Sequence, residues 1–230
     1  MAKAEKLKKF VIIPAGGNGT RMGNDFPKQF LLLNETPVII HTIRKFSSVP
    51  GIEKIIIALP EKWLQYFSEL KSKFLSGEKN IEIIAGGKTR FHSVQNALAL
   101  IKGSGLVSIH DAVRPFVSTA LIENCFNAAA KKRNAIACVP LKDSIYRNKK
   151  SKWIIEDRKK FLLAQTPQCF LVSDIKNAYK QKVRKKWTDD ASVLESFGKK
   201  INPIEGEYTN IKITTQEDLV LAKGILALQL

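Results

Sequence analysis

No run of about eighteen apolar residues occurs in this sequence, so no segment is long enough to cross a bilayer as a helix. The apolar run Phe10–Ile13 is also too short for a signal-peptide core, and it ends at Pro14-Ala-Gly-Gly. Cysteine is scarce. Cys125, Cys138 and Cys169 are odd in number, far apart and without zinc-ligand spacing, which reads as reduced, packed thiols in a cytoplasmic chain. Histidine is equally scarce: His41 reads as a packed or surface residue of a helix, and His92 and His110 as structural because no carboxylate or cysteine sits at metal spacing. Acidic residues are outnumbered, 21 against 38 Lys and Arg, for a net charge of +17. That excess invites a nucleic-acid-binding reading. The lysines are spread along the chain, however, and no aromatic-basic interleaving of a single-strand platform occurs. A lysine-rich surface that attracts phosphorylated small molecules accounts for the charge, so neither nucleic acid nor membrane is expected as a partner.

Two common phosphate loops are missing as well. G-x-x-x-x-G-K-[ST] does not occur, since Lys28 follows Pro27 and precedes Gln29. The dinucleotide fingerprint fails at its third glycine: Gly17 and Gly19 fit, but Met22 stands where the last should be. An NAD-dependent oxidoreductase therefore has weak support.

What is present is a glycine-rich turn after a buried strand. Phe10–Ile13 breaks at Pro14 into a loop with Gly16, Gly17, Gly19 and Gly23, followed by Pro27-Lys28-Gln29. Such a loop brings backbone N–H groups close to an anion, and Arg21 and Lys28 add full charges. A second strand–glycine–helix junction follows Ile81–Ala85, at Gly86-Gly87-Lys88-Thr89-Arg90, with Ser93 in the first helical turn. A further apolar run, Leu106–Ile109, ends in His110-Asp111, with Arg114 close behind.

Between these junctions strands and helices alternate. Lys54–Leu59 is continuously apolar, as in a strand buried on both faces, and Glu61–Phe74 has helical spacing. The pattern predicts an α/β fold: a three-layer α/β/α, Rossmann-like, mostly parallel sheet. From about Ala135 the rhythm changes. Asp143–Arg147 and Lys152–Arg158 flank a polar turn, which predicts an inserted β-hairpin arm within residues 139–164 of a single 230-residue domain. After Gln165-Thr-Pro-Gln, expectations are a helix over Val172–Lys186, a short helix capped by Thr188 or Asp189, a strand at Ile201–Glu205, an extended piece at Asn210–Thr214 carrying Lys212, and a closing helix over Leu219–Leu228. Cations and one carboxylate at one crevice suit phosphoryl or nucleotidyl transfer, where the protein positions two polyanions and neutralises charge on departing pyrophosphate.

In this order the chain carries Pro-Ala-Gly-Gly-x-Gly-x-Arg-Met-Gly, Pro-Lys-Gln-Phe, Gly-Gly-x-x-Arg-x-x-Ser-Val, His-Asp-Ala-x-Arg-Pro-Phe, Gln-Thr-Pro-Gln, Thr-Asp-x-Ala-Ser and Asn-Ile-Lys-Ile-Thr. Together, from Val11 to about Ala222, these resemble the 2-C-methyl-D-erythritol 4-phosphate cytidylyltransferases of non-mevalonate isoprenoid biosynthesis. The ribitol-5-phosphate cytidylyltransferases share most of them, while Thr188–Glu195 and Ser93-Val94 favour the erythritol family. The resemblance implies a nucleotide-diphospho-sugar transferase fold, a divalent cation (Mg²⁺), CTP and a polyol phosphate as substrates, and a homodimer whose arm reaches the partner's site. It implies that Arg21 and Lys28 stabilise the transition state, and that Arg158 and Lys212 position the sugar phosphate. Pro14, Ala15, Gly16, Gly17, Gly19, Gly87, Arg90 and Ser93 would hold the nucleotide; Asp111, Arg114, Ser144 and Thr166 would meet the acceptor. Asp111 is open to two roles, binding sugar hydroxyls or Mg²⁺. Thr20, Lys88 and Ser144 depart from the residues common in that family.

Overall fold

The computed structural model describes residues 7–17 and 26–228. The elements run β1 (Lys9–Pro14), β2 (Leu32–Leu33), β3 (Thr36–Pro37), α1 (Val38–Ser47), β4 (Ile52–Leu59), α2 (Leu64–Phe74), β5 (Ile81–Ala85), α3 (Arg90–Leu100) and β6 (Leu106–Ile109). They continue through α4 (Thr119–Lys132), β7 (Asn134–Pro140), β8 (Ile145–Lys149), β9 (Lys152–Glu156), β10 (Leu162–Leu171), α5 (Val172–Ala178), α6 (Asp190–Ser196), β11 (Pro203–Glu205) and α7 (Gln216–Ala227).

Seven strands form one sheet in the order β11-β7-β10-β6-β1-β4-β5. β1 pairs in parallel with β4 and with β6, and β4 with β5. The chain steps outward from β1 to β4 and β5, then returns to place β6 on the other flank of β1. Strand order reverses there, and in open α/β sheets that reversal leaves a crevice at the carboxyl ends of the strands. β10 alone runs against its neighbours, antiparallel to β6 and β7.

The period of two explains the layers. Val11 and Ile13 of β1 pack with Ile39, Ile43, Phe67, Leu121 and Phe126 from α1, α2 and α4. Phe10 and Ile12 face the other way, onto Val94 and Leu98 of α3, Ile175 of α5 and Leu194 of α6. α7 closes a smaller cluster, with Ala222 against Leu33, Val38, Phe116 and Ile213. The predicted α/β/α sandwich is what forms.

The expected arm is the two-stranded β8–β9 hairpin. Lys149 pairs with Lys152, so Lys150 and Ser151 make a two-residue loop, with φ of 48° and 66°, the double left-handed pattern that suits a twisted hairpin. Pairing puts Tyr146 and Ile155 on one face, with Trp153 beside them, all more than half exposed.

Three expectations need correction. β10 was not foreseen as a strand, because Pro167 in Gln165-Thr-Pro-Gln reads as a break; its ladder to β7 shifts register between Ala164 and Gln168, where the proline sits. The helix expected over Val172–Lys186 ends at Ala178, and the basic residues that follow form turns. Lys212 lies on an irregular segment, since Asn210–Thr214 joins no sheet. Of the two cap candidates for the short helix, Asp189 closes a capping box with Ser192, and Thr215 does the same with Asp218 at the start of α7.

His110 ends β6 wholly buried, edge-on to Phe46 at 4.9 Å, and its Nε2 lies 3.1 Å from the Arg114 carbonyl, to which the neutral ring donates. Burial outweighs that hydrogen bond and lowers its pKa to about 4. The unfolded chain therefore binds a proton near pH 6.5 that the folded chain refuses, so stability is lost as pH falls from about 6.5 to about 4. At ~1.4 kcal/mol per pH unit the loss is about 3 kcal/mol. His41, also lowered by burial, acts in the same direction. Urea midpoints between pH 7 and 4 should show this decline, and a shallower slope in His110→Asn; an equal slope would assign it to other groups.

Candidate active site

Two chambers open at the carboxyl ends of β1, β5 and β6. The first, about 280 Å³, is lined by Pro14–Gly17, Lys28, Gly87–Arg90, Ser93, Asp111 and Lys212, among others. The second, about 220 Å³, is lined by Arg114, Gln165, Thr166, Thr188 and Asp189. Arg90, Asp111 and Lys212 border both, so the chambers meet at these three side chains.

The glycines of the two junctions do different work. A Cβ on Gly87 would sit 2.4 Å from His92 Cβ and 2.9 Å from the His92 backbone, so the turn can fold over the start of α3 only with glycine there. The Gly87 N–H donates to Ser93 Oγ at 3.0 Å, and Ser93 Oγ donates to the Thr89 carbonyl at 3.1 Å. A Cβ on Gly16 or Gly17 would meet nothing closer than 3.8 Å. The fold itself does not demand glycine there, and the bare backbone is left open to the chamber.

Lys28 lies between Phe26 and Phe30, and both rings are clamped. Phe26 meets Trp63 edge-on at 5.6 Å and Tyr66 at 5.8 Å, while Phe30 meets Tyr66 at 5.1 Å. Gln29 is buried and donates to the Ala15 carbonyl at 2.7 Å, which ties this turn to the end of β1. Lys28 is thereby fixed beside Gly17. Arg21 and Gly19 lie outside the described residues.

Asp111 stands two residues past β6, nearly buried, among three cations. Lys212 Nζ is 2.9 Å and Arg114 Nε 3.4 Å from Oδ2; Arg90 Nε is 3.7 Å from Oδ1. Its own N–H donates to Thr166 Oγ1 at 3.0 Å. Burial alone would raise its pKa, but Arg90, Lys212 and Arg114 together hold it well below the usual carboxylate range. β10 makes this possible. Because it runs antiparallel with Gln168 opposite Ile109, Thr166 and Gln165 extend past the end of β6. Arg114 also donates to the Asn210 carbonyl at 2.7 Å, and Asn210 Nδ2 donates to the Thr166 carbonyl at 2.8 Å, which anchors the segment carrying Lys212.

Among the described residues no three His, Cys, Asp or Glu side chains stand together as metal ligands. The Asp111 oxygens already face three cations, and a resident metal there would have to displace them. The donor set does not fit a protein-held metal. Ser144 and Arg158 line neither chamber of their own chain. Both are exposed at the arm, where Arg158 Nη1 donates to the Lys142 carbonyl.

Residue types alone did not reveal Gln29, Gln165, Asn210 or Asp190. Each lies inside a motif quoted above, but their partners are 14, 42, 44 and 100 positions away.

Residues 9–228 match the family model of the 2-C-methyl-D-erythritol 4-phosphate cytidylyltransferases. The protein of that name from Phocaeicola vulgatus is 40% identical over 220 residues, covering 96% of this chain and all of its own. The one from Bacillus cereus is 40% identical over 223 residues, covering 95% and 98%. A crystal structure of 4-diphosphocytidyl-2C-methyl-D-erythritol synthase from Anaerococcus prevotii superposes with a TM-score of 0.83 at 28% identity, over 96% of each chain. That of the Francisella tularensis cytidylyltransferase gives 0.78 at 33% identity, over 95% and 99%. The chain belongs to the 2-C-methyl-D-erythritol 4-phosphate cytidylyltransferase family.

Proposed function

We infer that this enzyme joins CTP to 2-C-methyl-D-erythritol 4-phosphate, giving the CDP-methylerythritol and pyrophosphate, a step of isoprenoid precursor synthesis. The observation that carries the reading beyond family membership is the pair of chambers meeting at Arg90, Asp111 and Lys212. One is walled by bare glycine backbone and a lysine; the other is polar and flanked by cations. That division suits a nucleotide and a phosphorylated polyol brought end to end.

In our reading the pyrimidine and ribose lie against Pro14–Gly17, Gly87 and Ser93. The open space over Gly16 and Gly17 supports this, since a side chain there would fill the chamber and not the core. Arg90 also borders this chamber, with its Nε turned to Asp111 at the junction. Lys28 and Arg21 hold the triphosphate and neutralise charge that develops on pyrophosphate as the acceptor's phosphate oxygen attacks the α-phosphorus. That nucleophile is already an anion, so no general base is required. Lys212 and Arg114 would draw the acceptor phosphate and hydroxyls to Asp111 and Thr166. Because the Asp111 carboxylate is held by cations, we assign it to orienting them and to sugar hydroxyls. Mg²⁺ enters with CTP as the counter-ion of its phosphate oxygens, a form of the substrate.

We further propose that the apolar face of the arm docks on a second copy, with Ser144 and Arg158 serving the partner's acceptor chamber. The exposed Tyr146, Trp153 and Ile155 support this, as does the absence of Arg158 from both chambers of its own chain. Three buried free thiols suit a reducing compartment, and we place the enzyme in the cytoplasm.

Pyrophosphate release from CTP should occur with methylerythritol phosphate and be at least tenfold slower with ribitol 5-phosphate; the reverse order would transfer the chain to the ribitol enzymes. Lys28→Ala should lower kcat about 100-fold or more with a smaller change in KM for CTP. An unchanged kcat would remove Lys28 from the transition state. Mixing inactive Arg21→Ala and Arg158→Ala subunits should restore part of the activity, since each heterodimer then has one intact site. No recovery in verified heterodimers would place Arg158 in its own chain's chemistry or outside it.

A further inference from the structure

Among the buried carboxylates that the mechanism does not use is Asp190. Asp190 has no solvent exposure and begins α6. It is not needed as the cap of that helix, because the Asp189 side chain already accepts from Ser192 N at 2.8 Å. Instead Arg90 donates Nη1 and Nη2 to the two Asp190 oxygens at 2.9 and 2.6 Å, a fork-to-fork pair. The Tyr179 hydroxyl donates to Oδ1 at 2.5 Å.

Tyr179 is held in turn. Its ring stacks on Phe91 at 4.5 Å and 21°, Phe91 stacks on Trp187 at 5.5 Å, and Gln95 donates to the Tyr179 carbonyl at 2.7 Å. The end of the Arg90 guanidinium is thus committed away from the ligands. What remains toward the site is Nε, 3.7 Å from Asp111 Oδ1 at the junction of the chambers. A long, rotamer-rich side chain is restrained by a partner 100 positions away in the sequence.

We propose that Asp190, braced by Tyr179, is a positioning residue that aims Arg90 at Asp111 and so shapes the seat of the acceptor. The proposal rests on the reading of the second chamber as that seat. Burial would lower the Arg90 pKa, and the Asp190 charge more than offsets this. An amide at position 190 would lose the charge and present its own N–H₂ to a guanidinium that has only donors. Arg90 would then leave Asp111 to Lys212 and Arg114. The nucleotide end keeps its own support, the Gly87–Ser93 hydrogen bond, which does not pass through Arg90.

Steady-state kinetics with each substrate varied, beside calorimetric titration of CTP, test this. Asp190→Asn should lower kcat/KM for the polyol phosphate about 10- to 100-fold, with CTP affinity within about threefold of wild type. Asp190→Glu should recover part of the loss, and Tyr179→Phe should raise the acceptor KM about threefold. The proposal is overturned if Asp190→Asn keeps an acceptor kcat/KM within about twofold of wild type. It is equally overturned if kcat falls only with the folded fraction while both KM values stay constant, the mark of a purely structural pair. Should Asp190→Asn fail to fold, Tyr179→Phe decides, and an unchanged acceptor KM overturns it. Wild-type turnover of methylerythritol phosphate tests the underlying function, whereas the variant-to-wild-type ratio, with whichever polyol phosphate is accepted, tests the positioning role alone.

Discussion

The site depends on one carboxylate set among three cations. Asp111 would be costly to ionise in its buried place, and Lys212, Arg114 and Arg90 would repel one another without it. Each side of that balance needs the other. The consequence is mechanical as well as electrical. Lys212 rides on an irregular segment, Arg114 on the turn after β6 and Arg90 at the start of α3, and Asp111 gathers all three to one point.

That point sits where the two chambers meet, the place we propose for the encounter of two polyanions. Phosphate repels phosphate, so an enzyme joining CTP to a phosphorylated polyol must supply positive charge without letting it scatter. Long lysines and arginines have many rotamers, and ordering them at the moment of binding would cost affinity. Here the ordering is built into the resting fold: by Asp111 for Lys212 and Arg114, by Asp190 for Arg90, and by the aromatic clamp around Phe26 and Phe30 for the turn that carries Lys28. The glycine chamber needs no such devices, because backbone amides come already oriented.

The fold was legible wherever one local rule acted alone. The runs at Phe10, Lys54, Ile81 and Leu106 are short and mostly apolar, interrupted only by Glu82 and Ser108 within the last two, and each proved to be a strand paired in parallel with a neighbour. The cap at Asp189 could be read, beside Thr188, from a few neighbouring residues. β10 was hidden because local and global signals conflict at Pro167. A proline lacks the N–H that a central ladder wants, and the sheet accommodates it with a register shift that no single-strand pattern reveals. The chain after Ala178 failed the other way: periodicity and lysines suggested a longer helix, and tertiary packing of Tyr179 against Phe91 and Asp190 took precedence.

By itself the sequence determined the chemistry on offer. It set a glycine loop with cations, a second glycine turn, one carboxylate after a strand and a basic surface, because these follow from residue type and short spacing. Only the tertiary structure decided who faces whom. It set Arg90 on Asp190 across 100 residues, Thr166 under Asp111 through an antiparallel strand, and Arg158 away from its own chambers. Such pairings depend on the order of strands in the sheet and on what is buried between them. The sequence supplies the glycines and the cations; the strand order sets the second chamber beside the first.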